Sequence, residues 1–228
     1  MTWQEIKGNI VCDYQNISSP DMTKKTRVIV SKQKKDIMRL TLDEVLLLTE
    51  AFLEKKNSYY TVIAYQIVFY KHKEFTLETY KVLERFVFDY ISDWWDCDDL
   101  MTHAFTKLLL KFPEILSLVK KWTTHERFAV RRCVPVLLVI PARKGLVDIN
   151  DVFNICDLVF NDPHYLVQKG YGWLLKEASK KYQKDVIKYL EKYIDTMPRT
   201  AFRYALEKLP ITEKNRLMSK TLKINKGA

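Results

Sequence analysis

The amino-acid sequence predicts an all-α fold, a helical-repeat solenoid whose concave face is basic. Three observations carry this. Only 5 glycines and 7 prolines in 228 residues leave little room for the tight turns of an all-β chain. Apolar residues recur at helical spacing in one segment after another. Cations recur in one register of successive helices. With 47% hydrophobic residues the chain can bury a continuous core. Residues 1–228 are expected to form a single repeat domain, with 1–40 a divergent N-terminal segment and 41–222 stacked helix pairs.

The first forty residues carry the least regular pattern. A short helix is expected over Trp3 to Val11, a loop over Asn16 to Pro20, and then a basic stretch containing Lys24, Lys25, Arg27, Lys32, Lys34, Lys35 and Arg39. From Thr41 the pattern is strongly helical. Thr41 can cap, Asp43 and Glu44 suit the positive end of the helix dipole, and Leu42, Val45, Leu46, Thr49, Phe52 and Leu53 mark one face. Further helices are expected at about 59–72, 77–92, 96–111, 114–123 and 126–140, then at 150–160, 163–182, 184–195, 198–209 and 212–222. Pro113, Pro163 and Pro198 each stand where they can open a helix.

The later helices form pairs. Residues 114–140, 151–180 and 184–209 each hold a shorter helix followed by one with basic residues near its start. Aligning the second helices puts Arg132, Lys169 and Arg203 in one register, 37 and then 34 residues apart, within the range of helical repeats. Stacked pairs make a curved slab, and a cation recurring in the second helix would line its concave face. The alternative is that these are ordinary solvated helix residues.

Charge is unevenly distributed. Residues 41–100 hold 6 Lys/Arg against 12 Asp/Glu, and residues 101–228 hold 24 against 12, within a total net charge of +10. Segregation on this scale favours a polyanion-binding surface, whereas a basic pI alone would also fit an anionic membrane or simple solubility. Cys12, Cys97, Cys133 and Cys156 are far apart and form no CxxC pair, so neither a metal site nor a disulfide framework is expected, and no cofactor is expected either. The longest apolar run, Val134 to Ile140, is too short to cross a bilayer. No signal-like segment opens the chain, and the expected setting is intracellular, either cytoplasmic and nucleoid-associated or nuclear. A solenoid with its own caps is expected to be a monomer.

Two strings suggest chemistry. In Asp93-Trp94-Trp95-Asp96-Cys97-Asp98-Asp99, a helix puts Trp95 and Asp99 on one face, an indole beside a carboxylate. Core packing of a tryptophan together with acids favouring a helix N-terminus is an equally good account of that spacing. The second string, Gln168-Lys169-Gly170-Tyr171-Gly172-Trp173-Leu174-Leu175-Lys176-Glu177, carries two glycines inside a helical pattern. Each costs about 1 kcal/mol relative to Ala, which implies close helix packing or approach by a ligand. Lys169, Trp173 and Lys176 share a face, a combination suited to a nucleic-acid backbone around an aromatic contact. Arg127 with Arg131, and Arg199 with Arg203, repeat the four-residue spacing.

These strings, with Phe128-Ala129-Val130-Arg131 and in this order, resemble the hallmark segments of the AlkD-type, HEAT-like-repeat alkylpurine DNA glycosylases, over about residues 42–210. The resemblance implies base excision of cationic N3- and N7-alkylated purines, such as 3-methyladenine and 7-methylguanine, from double-stranded DNA. It implies Asp99 as catalytic carboxylate, with Trp95 and Trp173 flanking the reacting deoxyribose. Arg131, Lys169, Lys176, Arg199 and Arg203 would contact DNA backbone, with Arg132 added from the repeat register. The family is understood to read the lesion through the backbone without an extrusion pocket.

The N-terminus departs from the family pattern, offering only the Lys34-Lys35 pair where members usually carry a helix pair and a Gly-x-x-x-Pro-x-x-Arg-Arg-like segment. Asp96 and Asp98 add like charge beside Asp99, which would raise its pKa or repel phosphate. Two other readings therefore stand beside the glycosylase: a catalytically silent relative that binds branched or damaged DNA, and a HEAT-type protein-interaction scaffold.

Overall fold

The structure, a computed structural model, describes residues 1–16 and 22–224. Among the described residues every regular element is a helix, as the shortage of turn formers predicts. Backbone contacts divide the chain into two compact units, Met1–Phe112 and Pro113–Ala228.

The first unit opens with α1 (Trp3–Gln15), α2 (Met22–Lys32) and the single turn α3 (Lys34–Ile37). This corrects the irregular N-terminus expected from the sequence. Thr2 and Glu5 form a reciprocal capping box at the start of α1, which runs past Val11. The expected Asn16 to Pro20 loop lies outside the described residues except for Asn16. The basic stretch is helical because Thr26, Ile29 and Val30 form a buried stripe between its cations. Helix α1 packs on α2 and on α4 (Leu42–Leu53), and α2 packs on α5 (Ser58–Tyr70). Thr41 caps α4 as expected, accepting from the Glu44 amide at 3.2 Å. Val45, Leu48, Phe52, Ile63 and Ile67 are fully buried, with Phe86 from α6 (Leu77–Tyr90).

The helix expected over 96–111 begins earlier and is interrupted. It consists of α7 (Trp94–Leu100), a π-turn over Met101–Phe105, and α8 (Thr106–Lys111). The early start follows from capping: Asp93 accepts from the Trp94 amide at 2.7 Å, and Asp96 reaches back to the Asp93 amide at 3.2 Å. In the π-turn the Thr106 hydroxyl donates to the Met101 carbonyl five residues back, at 2.7 Å. Such widened turns concentrate at functional sites.

The second unit holds α9 (Ile115–Val119), α10 (Phe128–Lys144), α11 (Ile149–Leu158), α12 (Tyr165–Ala178), α13 (Gln183–Lys192), α14 (Arg199–Ala205) and α15 (Ile211–Ile224). Helix α12 packs against both α10 and α14, so the second helices of the three repeats stand side by side. Helix α10 outlasts its expected end at Ile140, running over Pro135 and Pro141 until Gly145 adopts left-handed φ of 70°. Gly172 has a packing role. A Cβ there would meet the Ala201 carbonyl oxygen at 2.7 Å and Tyr204 Cβ at 2.8 Å, so the bare backbone is what lets α14 close on α12.

Candidate functional site

Helix α7 presents Trp95 and Asp99 one turn apart, and both line a cavity of about 520 Å³ within the first unit. Arg27 of α2, Tyr59 and Val62 of α5, and His103 of the π-turn share the lining. Asp99 is the most constrained of these groups, with a side chain only 10% exposed. Its Oδ1 accepts from Arg27 Nη2 at 2.8 Å and lies 3.2 Å from His103 Nδ1. Its Oδ2 is buried, with no hydrogen-bond donor among the described residues.

Burial alone would raise the Asp99 pKa. The hydrogen bond from His103 and the charge and hydrogen bond of Arg27 outweigh it, and the net shift is downward. His103 moves the opposite way, raised above its ordinary value chiefly by its hydrogen bond to Asp99 against the effect of burial. Both partners therefore favour the charged pair.

Of the two acids expected to crowd Asp99, Asp98 lines the same cavity and Asp96 does not. Asp96 turns to the helix start, accepting on Oδ2 from the Ser92 amide and hydroxyl and from the Asp93 amide at 2.9–3.2 Å. Burial raises its pKa in spite of those bonds. Its role is capping.

Two partners of Asp99, Arg27 and His103, are not among the residues that the sequence motifs single out. Arg27 was only one cation of a basic stretch, 72 residues away, and no local pattern pairs it with Asp99. His103 did leave a signal, since an acid and a histidine four residues apart share a helix face.

In the second unit the expected DNA contacts stand in different environments. Arg131 is 14% exposed and its fork is engaged: Nε and Nη2 donate to Asp162 at 2.5 and 3.1 Å, and Nη1 donates to the His125 and Glu126 carbonyls at 2.8 and 2.7 Å. Arg132 corrects the register argument. It is 5% exposed and donates to the Leu166 carbonyl, tying α10 to α12 instead of lining an open face.

Lys169 is half-buried, with Nζ 5.2 Å from the Tyr165 ring centre and 5.7 Å from that of Tyr204. Lys176 pairs with Glu207 at 2.5 Å. Trp173 lies half-buried on α12. Arg199 and Arg203 are exposed and, with Lys214, line a second cavity of about 530 Å³ bounded also by Tyr204 and Glu207. Among the described residues no group of acidic, histidine and cysteine side chains has the arrangement to hold a metal, and no helix is long and apolar enough to cross a membrane.

The sequence model of the DNA alkylation repair enzyme family matches residues 14–209. Among solved structures, a protein of Enterococcus faecalis described as a predicted DNA alkylation repair enzyme superposes with a TM-score of 0.73 at 16% identity, covering 92% of this chain and 98% of its own. No curated protein matches the sequence.

Proposed function

Because the chain belongs to the DNA alkylation repair enzyme family, we propose that it is a monofunctional DNA glycosylase. Its substrate would be duplex DNA carrying cationic N3- or N7-alkylated purines, and its product the free alkylated base. The supporting observation is Asp99, a nine-tenths buried carboxylate kept ionised in a cavity that it shares with an indole.

A purine alkylated at N3 or N7 departs as a neutral base, so the leaving group needs no acid. Positive charge instead builds on the deoxyribose. A carboxylate about 4 Å from that charge, at an effective dielectric near 20, stabilises it by about 4 kcal/mol, roughly a thousandfold in rate. The face of Trp95 adds about 1 kcal/mol toward a cationic sugar. Arg27 opposes this while it sits on Oδ1. Its side chain is 38% exposed and bonds Asp99 through Nη2, which leaves donors for a phosphate of bound DNA. In the second unit, Lys169, Arg199 and Arg203 supply cations for the backbone, and Trp173 contributes an aromatic contact on the same helix as Lys169.

The Arg27–Asp99 ion pair also supports a second reading, a silent relative that binds damaged DNA with its carboxylate neutralised. Incubation with methylated duplex DNA separates the two. The glycosylase releases 7-methylguanine or 3-methyladenine, and Asp99→Asn lowers the rate about a thousandfold while duplex binding persists. Binding without any base release by the wild type would reject the glycosylase and leave the silent relative.

A further inference from the structure

We infer that His103 is the proton acceptor for the attacking water, oriented for that task by Asp99; this rests on the glycosylase reading. The requirement comes from atom balance. Water adds its oxygen to the anomeric carbon of the sugar, the glycosidic electron pair leaves with the cationic purine, and the purine departs neutral. The one proton released is the water's, and a base must take it.

Asp99 is poorly suited to that second duty. Arg27 bonds its Oδ1 and His103 Nδ1 lies 3.2 Å from the same oxygen, and a carboxylate whose pKa is lowered holds a proton weakly. Its strength lies in staying negative beside the cationic sugar. The acceptor has to be another group of the same cavity.

The surroundings of the His103 ring specify which nitrogen is available. Nδ1 lies 2.9 Å from the Asp99 carbonyl oxygen, 3.2 Å from Asp99 Oδ1 and 3.1 Å from the Thr102 hydroxyl. That hydroxyl donates its own hydrogen to the Asp98 carbonyl at 2.6 Å, so toward His103 it can only accept. All three neighbours of Nδ1 are acceptors, and Nδ1 therefore carries the hydrogen. In the neutral ring the lone pair is then on Nε2, on the side of the imidazole away from them. The side chain is 46% exposed and lines the cavity with Trp95 and Asp99. Phe69 meets the ring edge-on, with centres 5.7 Å apart. A carboxylate and an imidazole oriented through Nδ1 form the arrangement used to activate hydroxyl nucleophiles in unrelated hydrolases.

The charged and titratable groups around His103 are Asp98 and Asp99 from its own helix, and Arg27 from α2 and Tyr59 from α5, which line the same cavity. His72 stacks on Phe69 at 5.0 Å. Asp99 raises the His103 pKa and Arg27 opposes it. A base must be neutral to act, so the rate rises with pH until it passes that raised value and is level above it.

Single-turnover release of 7-methylguanine from methylated duplex, measured from about pH 5.5 to 8.5 with excess protein, tests this. The wild type is expected to lose about tenfold per pH unit on the acid side. His103→Asn keeps a donor toward Asp99 but has no Nε2, and it should be about a hundredfold slower with a flat profile. Base release by the wild type at a pH-independent rate, or a His103→Asn variant that keeps the wild-type rate and profile, overturns the inference while leaving the glycosylase intact. No release at any pH removes both. Independently of activity, the His103 ring titration followed by NMR should move to lower pH in Asp99→Asn; an unmoved titration overturns the dyad.

Discussion

Guanidinium groups of the second unit stand in contrasting environments, and their environments predict opposite phenotypes. Arg131 spends its donors on Asp162 and on two carbonyls, and the Asp162 side chain is only 4% exposed. Removing the cation strands a buried carboxylate, which costs about 3 kcal/mol. Arg203 is exposed beside an open cavity, and truncating it should change stability by no more than about 0.5 kcal/mol. Urea denaturation and duplex binding, measured on Arg131→Met and Arg203→Ala, should therefore separate: the first loses stability, the second affinity. If Arg131→Met instead kept its denaturation midpoint and lost affinity, its fork would belong to DNA and the Asp162 pair would be incidental. That Trp95 and Asp99 share a face is legible from spacing because both sit on one helix, where i,i+4 geometry is local. The place of Arg27 is not, since it reaches Asp99 only after α2 has packed on α5. The same limit applies to Arg132, whose burial follows from the approach of α12 and leaves no mark in its own segment.

At the scale of elements, legibility followed the continuity of the apolar stripe. Helix α4 reads clearly because a cap precedes an unbroken face. Helix α2 does not, because its buried stripe is short and one of its three positions is the polar Thr26, set among Lys24, Lys25, Arg27 and Lys32. The π-turn left no sequence signal that spacing could detect. Helix α10 passes its expected end at Ile140 and continues over Pro141 to Gly145, whose left-handed backbone is the terminator. The two glycines of α12 imply close approach, but spacing leaves open whether a helix or a ligand needs the room. For Gly172 the neighbour is α14, through the Ala201 carbonyl and Tyr204 Cβ. Backbone cannot yield as a flexible side chain does, so Gly172→Ala should destabilise by about 1–3 kcal/mol, from overpacking against a gain in helix propensity of about 1 kcal/mol. Gly170→Ala has room, with its nearest neighbour, Pro135 Cγ, at 3.4 Å, and should be neutral or stabilising in the same denaturation series. Equal effects at the two positions would mean that α12 and α14 do not approach as closely as described.

For the whole molecule, the division into units sharpens the charge asymmetry. Met1–Phe112 contains 16 Lys/Arg and 16 Asp/Glu, whereas Pro113–Ala228 contains 22 and 12, so the entire net charge of +10 belongs to the second unit. A polyanion is attracted over distances of about a Debye length by net charge, and at contact by particular cations. Duplex binding should consequently weaken steeply with salt, and the slope should report cations of the second unit. Each phosphate contact removed flattens the dependence of log affinity on log salt by about 0.9. Lys169, Arg199 and Arg203 have no carboxylate partner among their described contacts, unlike Lys176 with Glu207. Replacing those three by Gln in the full chain should flatten the slope by about 3. Replacing the exposed Lys55, Lys56 and Lys73 of the first unit changes the net charge equally and serves as the control. It should lower affinity slightly at low salt and leave the slope within about one contact of wild type. An equal flattening by both triples would mean that DNA responds to total charge alone, and the assignment of its backbone to α12 and α14 would fail.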